Sequence, residues 1–122
     1  MSAKWIMIIA AFLPFLAAVS AKVGGKGFQN HTPREWLAKQ EGWRARANAA
    51  QANTFEALPF FYAAFIYALF IQPVAPELVL KLGLAWVLLR VAYIYVYIRN
   101  LSSLRSLIWF AAFGVNLSLL FV

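Results

Sequence analysis

Four apolar runs, each close to the length of a membrane span, leave this 122-residue chain few ways to fold. The first extends from Trp5 to about Val23, with no charge between Trp5 and Ala21. The second extends from about Ala47 to Ile71, and Glu56 is its only charge. The third covers about Leu78 to Ile98, with Lys81 near its start and Arg90 in its middle; the fourth runs from about Arg105 to Val122 and is uncharged beyond Arg105. About 20 apolar residues in a helix cross the ~30 Å hydrocarbon core of a bilayer. A helix also satisfies its own backbone groups where no water can reach them. The expected fold class is therefore all-α: one domain over residues 1–122, an integral membrane four-helix bundle. Pro14, inside the first span, is expected to bend it.

Composition agrees. Hydrophobic residues make up 64% of the chain and charged ones 12%, against roughly 45–50% and about 25% in soluble domains. A soluble domain of this size could not bury so much apolar side chain. The chain has no Cys, which excludes a disulfide scaffold, a thiolate metal site and a cysteine nucleophile. No cluster of metal-ligand type is present, so no metal is expected. The net charge of +7 would point to nucleic acid in a soluble protein, but here the cations fall between the spans. They therefore report topology, and no nucleic-acid partner is expected.

The links carry the orientation. The first, roughly Lys22 to Arg44, opens on Gly24-Gly25-Lys26-Gly27, which reads as flexible. Thr32-Pro33-Arg34-Glu35 then reads as a helix start, with Thr32 as N-cap, Pro33 at the first position and Glu35 closing a capping box. The short helix that follows, with Trp36 and Leu37 among Lys39 and Arg44, is expected to lie at the membrane surface. The second link, Gln72 to Glu77, is stiffened by two prolines. Cations crowd the first link and flank the third (Arg99, Arg105), so both links are expected on the cytoplasmic side and both termini on the other. A cleaved signal peptide is a rival reading of the first span, from Lys4 and Val19-Ser20-Ala21, but it would leave only three helices. Asn30-His31-Thr32 matches a glycosylation acceptor pattern on the side where modification is not expected. His31 reads as a solvated loop residue.

Chemistry is expected where polar groups interrupt the spans. An ionised side chain at mid-membrane costs about 2.5–3.5 kcal/mol on insertion scales and should face the bundle interior. Glu56 and Arg90 are the two clear cases: either they pair as a structural lock on helix register, or they share one ligand. Arg46, Asn53, Glu56 and Phe60 recur at helical spacing on one face of the second span, with Gln51 to the side of that stripe. Arg90, Tyr93 and Tyr97 share a face of the third, and Arg105 opens the fourth. This set of arginines, one carboxylate, amides and phenols suits a small zwitterionic or anionic ligand, whose carboxylates arginine would pair bidentately and whose amino group Glu56 would hold. Tyr62, Tyr67 and Tyr95 read as belt or packing residues.

From Arg44 to Phe60 the chain resembles the second-helix signature of the MAPEG family, membrane-associated proteins in eicosanoid and glutathione metabolism. The pattern Asn-x-x-Glu-x-x-Pro is met by Asn53, Glu56 and Pro59. The third-helix pattern is met by Arg90, Tyr93 and Tyr97, and the basic residue of the fourth by Arg105, followed by Ser106. Pro33-Arg34-Glu35-Trp36-Leu37 is similar to the loop of bacterial members. The chain departs at Ala49, where many members carry arginine, a role Arg44 or Arg46 is placed to fill. The resemblance implies a homotrimer that binds glutathione between adjacent subunits near the cytoplasmic helix ends. Arg46, Gln51, Asn53, Glu56, Arg90, Tyr93 and Tyr97 would hold glutathione as co-substrate, while Arg105 stabilises its thiolate with help from Ser106.

The implied activity is a glutathione-dependent membrane transferase, with peroxidase activity as an extension, acting on hydrophobic small molecules drawn from membrane lipid. The implied location is a bacterial inner membrane. A non-enzymatic scaffold or carrier of the same family is the alternative. A small multidrug transporter ranks lower, because such proteins need a carboxylate in the first span and this chain has none there.

Overall fold

The computed structural model describes residues 2–71 and 75–122. Among these residues the chain is all helix and loop, without strand. Helix α1 covers Ala3–Lys22, α2 Pro33–Ala38, α3 Gly42–Ile66, α4 Pro76–Ile98 and α5 Ser102–Leu119; a π-helical turn, Tyr67–Ile71, prolongs α3. Three of the helical stretches, Ala3–Lys22, Gly42–Ile71 and Pro76–Ile98, are long and apolar enough to cross a membrane. The fourth expected span, α5, has 18 residues, about 27 Å at 1.5 Å per residue. Ser102, Ser103, Arg105, Ser106 and Asn116 lower its hydropathy below that of the other three.

The second span begins earlier than its apolar run, at Gly42 rather than near Ala47. With its π turn the helix has 30 residues, about 45 Å, and so outruns a ~30 Å hydrocarbon core. Its first turns therefore need no apolar residues, and Trp43-Arg44-Ala45-Arg46 continue the helix into the polar zone. Both prolines inside spans are accommodated, for α1 stays helical through Pro14 and α3 through Pro59. Part of the second link, Gln72, Pro73 and Val74, lies outside the described residues.

Lipid is as apolar as a leucine side chain, so helices in it associate through close packing rather than through the hydrophobic effect. The interior shows this. Ile6, Ala10, Leu13 and Ala17 form the inward stripe of α1, against Ala50, Leu58, Phe61, Ala64 and Phe65 of α3. Several of these are fully buried alanines, which let the backbones approach. Gly83 does the same on α4: a Cβ there would stand 2.5 Å from Cε1 of Phe65. Phe65 cannot retreat, because it is fully buried and stacks on Phe61, which stacks in turn on Trp86 at 4.0 Å. The Tyr62 hydroxyl donates to the Met7 carbonyl at 2.7 Å, tying α3 to α1. The outer faces carry Phe12, Val19, Leu88, Leu107 and Phe110, an apolar exterior of the kind a bilayer covers.

The first link differs in detail from its sequence reading. Thr32 is the N-cap residue of α2 and Pro33 its first residue, but the Thr32 side chain makes no capping hydrogen bond. The glycine run is anchored by Trp36, whose Nε1 donates to the Lys26 carbonyl at 3.0 Å and whose ring meets Phe28 edge-on. At Gly25 a Cβ would collide with that indole at 2.4 Å. Arg44 closes the link onto α1 by donating to the Ala21 carbonyl at 2.9 Å.

Candidate functional site

Arg90 is the polar centre of the bundle. It sits two turns inside α4 and is 1% exposed. Its Nη2 donates to Asn53 Oδ1 at 2.9 Å and to Thr54 Oγ1 at 3.1 Å. Thr54 passes the interaction on by donating its hydroxyl proton to the Ala50 carbonyl at 2.7 Å. The guanidinium lies over the Tyr93 ring at 4.1 Å, while its Nε is buried without a hydrogen-bond partner among the described residues. Of the two readings of Glu56 and Arg90, the direct ion pair is not formed; the guanidinium bonds Asn53 and Thr54 through Nη2. Glu56 and Arg90 instead line one cavity of about 170 Å³ with Asn53.

That cavity lies between α3, α4 and α5 and extends past the charged groups. Ala57, Phe60, Trp86, Trp109, Ala112, Phe113 and Asn116 complete its lining. Its walls are held by aromatic packing: Phe60 meets Phe113 at 5.5 Å, and Trp109 stacks on Phe113 at 5.4 Å. Asn116 is 3% exposed, and its Oδ1 has no partner among the described residues. A buried acceptor left unpaired costs about 1–3 kcal/mol.

A second, smaller cavity of about 140 Å³ is lined by Tyr93, Arg105, Ser106, Trp109 and Phe110. Trp109 is a wall of both cavities. Arg105 lies over the Tyr97 ring at 4.4 Å, and Tyr97 meets Tyr93 edge-on at 5.7 Å. The two cations are thus linked through two phenol rings, Arg90 to Tyr93 to Tyr97 to Arg105. The helical spacing of α4 places these rings in succession, and Arg105, in the first turn of α5, closes the series.

Two of the sequence candidates lie elsewhere. Gln51 is on another face of α3, in a third cavity of about 400 Å³ with Lys22, Arg34, Asn48 and Phe55. Two residues along a helix turn the side chain by about 200°, so Gln51 cannot join Asn53 within one chain. Arg46 donates from Nε to the Ile98 carbonyl at 3.0 Å, satisfying a carbonyl in the last turn of α4 where a cation also suits the helix dipole. His31 is exposed in the first link. Sequence reasoning missed Thr54, Trp86, Trp109 and Asn116. Of these, Asn116 carried a signal, as an amide in an otherwise apolar stretch.

Among the described residues no group of histidine, cysteine or carboxylate side chains could hold a metal ion. The chemistry available is that of cations and phenols next to an aromatic cavity. The family model described as the MAPEG family matches residues 2–122. No curated protein and no solved structure matches the chain significantly.

Proposed function

The chain belongs to the MAPEG family, and from that premise we propose that it is a glutathione-dependent transferase of the membrane, acting on hydrophobic electrophiles. Family membership by itself supports a glutathione transferase-like or related function in a multi-pass membrane protein. The observation that carries the finer reading is the linked series Arg90, Tyr93, Tyr97, Arg105 with Asn53 and Glu56 beside it. A tripeptide with two carboxylates, one ammonium and one thiol is complementary to that set. Arg90 offers a fixed guanidinium to a carboxylate, and Glu56 an acceptor to the ammonium.

Arg105 and Ser106 would meet the sulfur. A cysteine-type thiol has a pKa of about 8.5, and a nearby cation lowers it by roughly 1–3 units. The thiolate then bonds to an electrophilic carbon while the leaving group departs with its electron pair, the thiol proton having gone to solvent. Toward a lipid hydroperoxide the same sulfur would act as reductant, two glutathiones giving the disulfide, an alcohol and water.

Two features support a site shared between copies, as in the trimers of the family. Glu56 is exposed in the single chain about 21 Å from the start of α3, at 1.5 Å per residue. An open carboxylate at that depth is costly unless a ligand or a second chain covers it. Gln51, with Lys22 and Arg34, faces the other way and would complete a neighbour's site. The test is turnover of glutathione with 1-chloro-2,4-dinitrobenzene in detergent or nanodiscs, with calorimetric titration of glutathione and native mass spectrometry. Conjugation, saturable binding and a three-copy assembly are expected. Absence of both turnover and binding refutes the reading, and a strict monomer refutes the shared site.

A further inference from the structure

The cavity that holds Gln51, about 400 Å³ in volume, has a cationic end and an apolar end. Lys22 closes α1, Arg34 lies in the first turn of α2, and Asn48 and Gln51 stand one turn apart on α3. Among the described residues no carboxylate lines it. Leu37 is buried against Ala21 and Ala47, which pins α2 beside the end of α1 and so brings Arg34 to the cavity that Lys22 lines. The Lys22 ammonium also lies 5.6 Å from the Phe28 ring. An anion is the complement of this end, because arginine and lysine pair with phosphate or carboxylate oxygens and amide N–H groups donate to them.

The apolar end is left unused by glutathione recognition. Phe55 lines it and meets Phe15 edge-on at 6.0 Å, and Phe15 meets Phe12 at 6.3 Å. All three rings are exposed. Phe12 is ten residues from Lys22, counted along the sequence, which is about 15 Å of helix and half of a ~30 Å hydrocarbon core. A cationic pocket at the helix ends therefore continues into an aromatic track about as long as one leaflet is thick. Basic pockets at this level of a membrane protein bind anionic lipid headgroups. A soluble anion has no chain to lay along such a track, whereas a phospholipid has both the charge and the chain.

We propose that this cavity takes the phosphate headgroup of an anionic phospholipid, with one acyl chain along Phe55, Phe15 and Phe12, and that the lipid competes with glutathione for Lys22, Arg34 and Gln51. The competition rests on the function proposed above, in which these three residues complete a neighbour's site. The lipid site stands without it. Anionic lipid in the surrounding leaflet then sets how much glutathione the protein holds.

The probes are phosphatidylglycerol and phosphatidylcholine with the same acyl chains. Retention of each is read by native mass spectrometry from micelles holding both in equal amounts. Phosphatidylglycerol should be preferred about thirtyfold, the worth of two basic side chains at an anionic surface. Arg34→Gln should cut that preference about fivefold, the worth of one. The double variant Phe15→Ala, Phe55→Ala should lower phosphatidylglycerol retention, with the helical circular dichroism of both variants unchanged. Glutathione is then titrated by calorimetry in nanodiscs of phosphatidylcholine alone or of the equal mixture. Its apparent Kd should rise several-fold in the mixture by mass action, and the double variant should lose that rise while binding glutathione normally in phosphatidylcholine. Soluble glycerol phosphate, which has the headgroup and no chains, should leave the affinity unchanged. Without a phosphatidylglycerol preference, or with one that Arg34→Gln leaves intact, the lipid site is overturned, and normal glutathione binding in the same samples leaves the transferase reading standing. A rise in Kd that persists in the double variant reports surface charge alone and overturns the competition; equal competition by glycerol phosphate overturns the lipid as the occupant. A preference reduced in Arg34→Gln without any glutathione binding supports the lipid site and overturns the transferase.

Discussion

Replacing Arg90 with methionine separates a structural role from a binding role. The guanidinium makes two hydrogen bonds through Nη2 and one contact with the Tyr93 ring. Hydrogen bonds to a charged group contribute about 1.5–3 kcal/mol each, and a desolvated cation–ring contact about 2 kcal/mol. Together these favour Arg90 by roughly 5–8 kcal/mol. Against them stand a desolvation penalty of several kcal/mol for a buried ion and about 1–3 kcal/mol for the unpartnered Nε. The two sides nearly cancel. Methionine is unbranched and adapts to the space, and Thr54 keeps its bond to the Ala50 carbonyl. Arg90→Met should therefore change unfolding free energy by less than about 2 kcal/mol, measured by reversible denaturation in mixed micelles. Glutathione affinity, measured by calorimetry, should fall about 10- to 150-fold, the worth of one charged hydrogen-bonding contact at 1.5–3 kcal/mol. A loss of stability beyond about 4 kcal/mol with affinity unchanged would refute the argument and leave Arg90 as a pin between α3 and α4.

Arg105→Ala should leave the fold intact, lower kcat by at least tenfold at neutral pH and move the rising limb of the pH–rate profile upward, because a thiol without its neighbouring cation ionises at higher pH. A scaffold or carrier would show no such shift. Gly83→Ala should destabilise the bundle by about 1–3 kcal/mol through overpacking against Phe65, read as a lower thermal midpoint in detergent.

The spans were legible because bilayer thickness fixes how many apolar residues a helix needs. Their rotation was not. A helix that is apolar all round gives no sign of which face turns inward, and α4 buries Val79, Val87 and Ile94 while exposing Leu78, Leu88 and Val91, residues of equal apolarity. Only costly polar residues broke that symmetry. Arg90, Tyr93 and Tyr97 could be read as one stripe, and Asn53 with Glu56 as another. Gln51 could not be separated from them without knowing that α3 presents different faces to α1 and to α4. The bond from Arg46 Nε to the Ile98 carbonyl was not legible either, because a cation near a site and a cation bonding a terminal carbonyl have the same spelling. Thr54 was hidden by its ordinary role in apolar helices, where its hydroxyl bonds back to its own backbone. Trp86 and Trp109 were indistinguishable from membrane-facing aromatics until helix packing placed them on a common void.

The indole of Trp109 belongs to both linings, and this limits how the protein can be re-engineered. Any change at position 109 reshapes two compartments at once, so under the proposed function reaction rate and choice of electrophile would drift together in a mutant library built there. Phe60 and Phe113 line only the larger compartment. Phe113 stacks on Trp109, so Phe60 is the more independent handle, through which the larger compartment can be widened with less disturbance around Arg105 and Ser106.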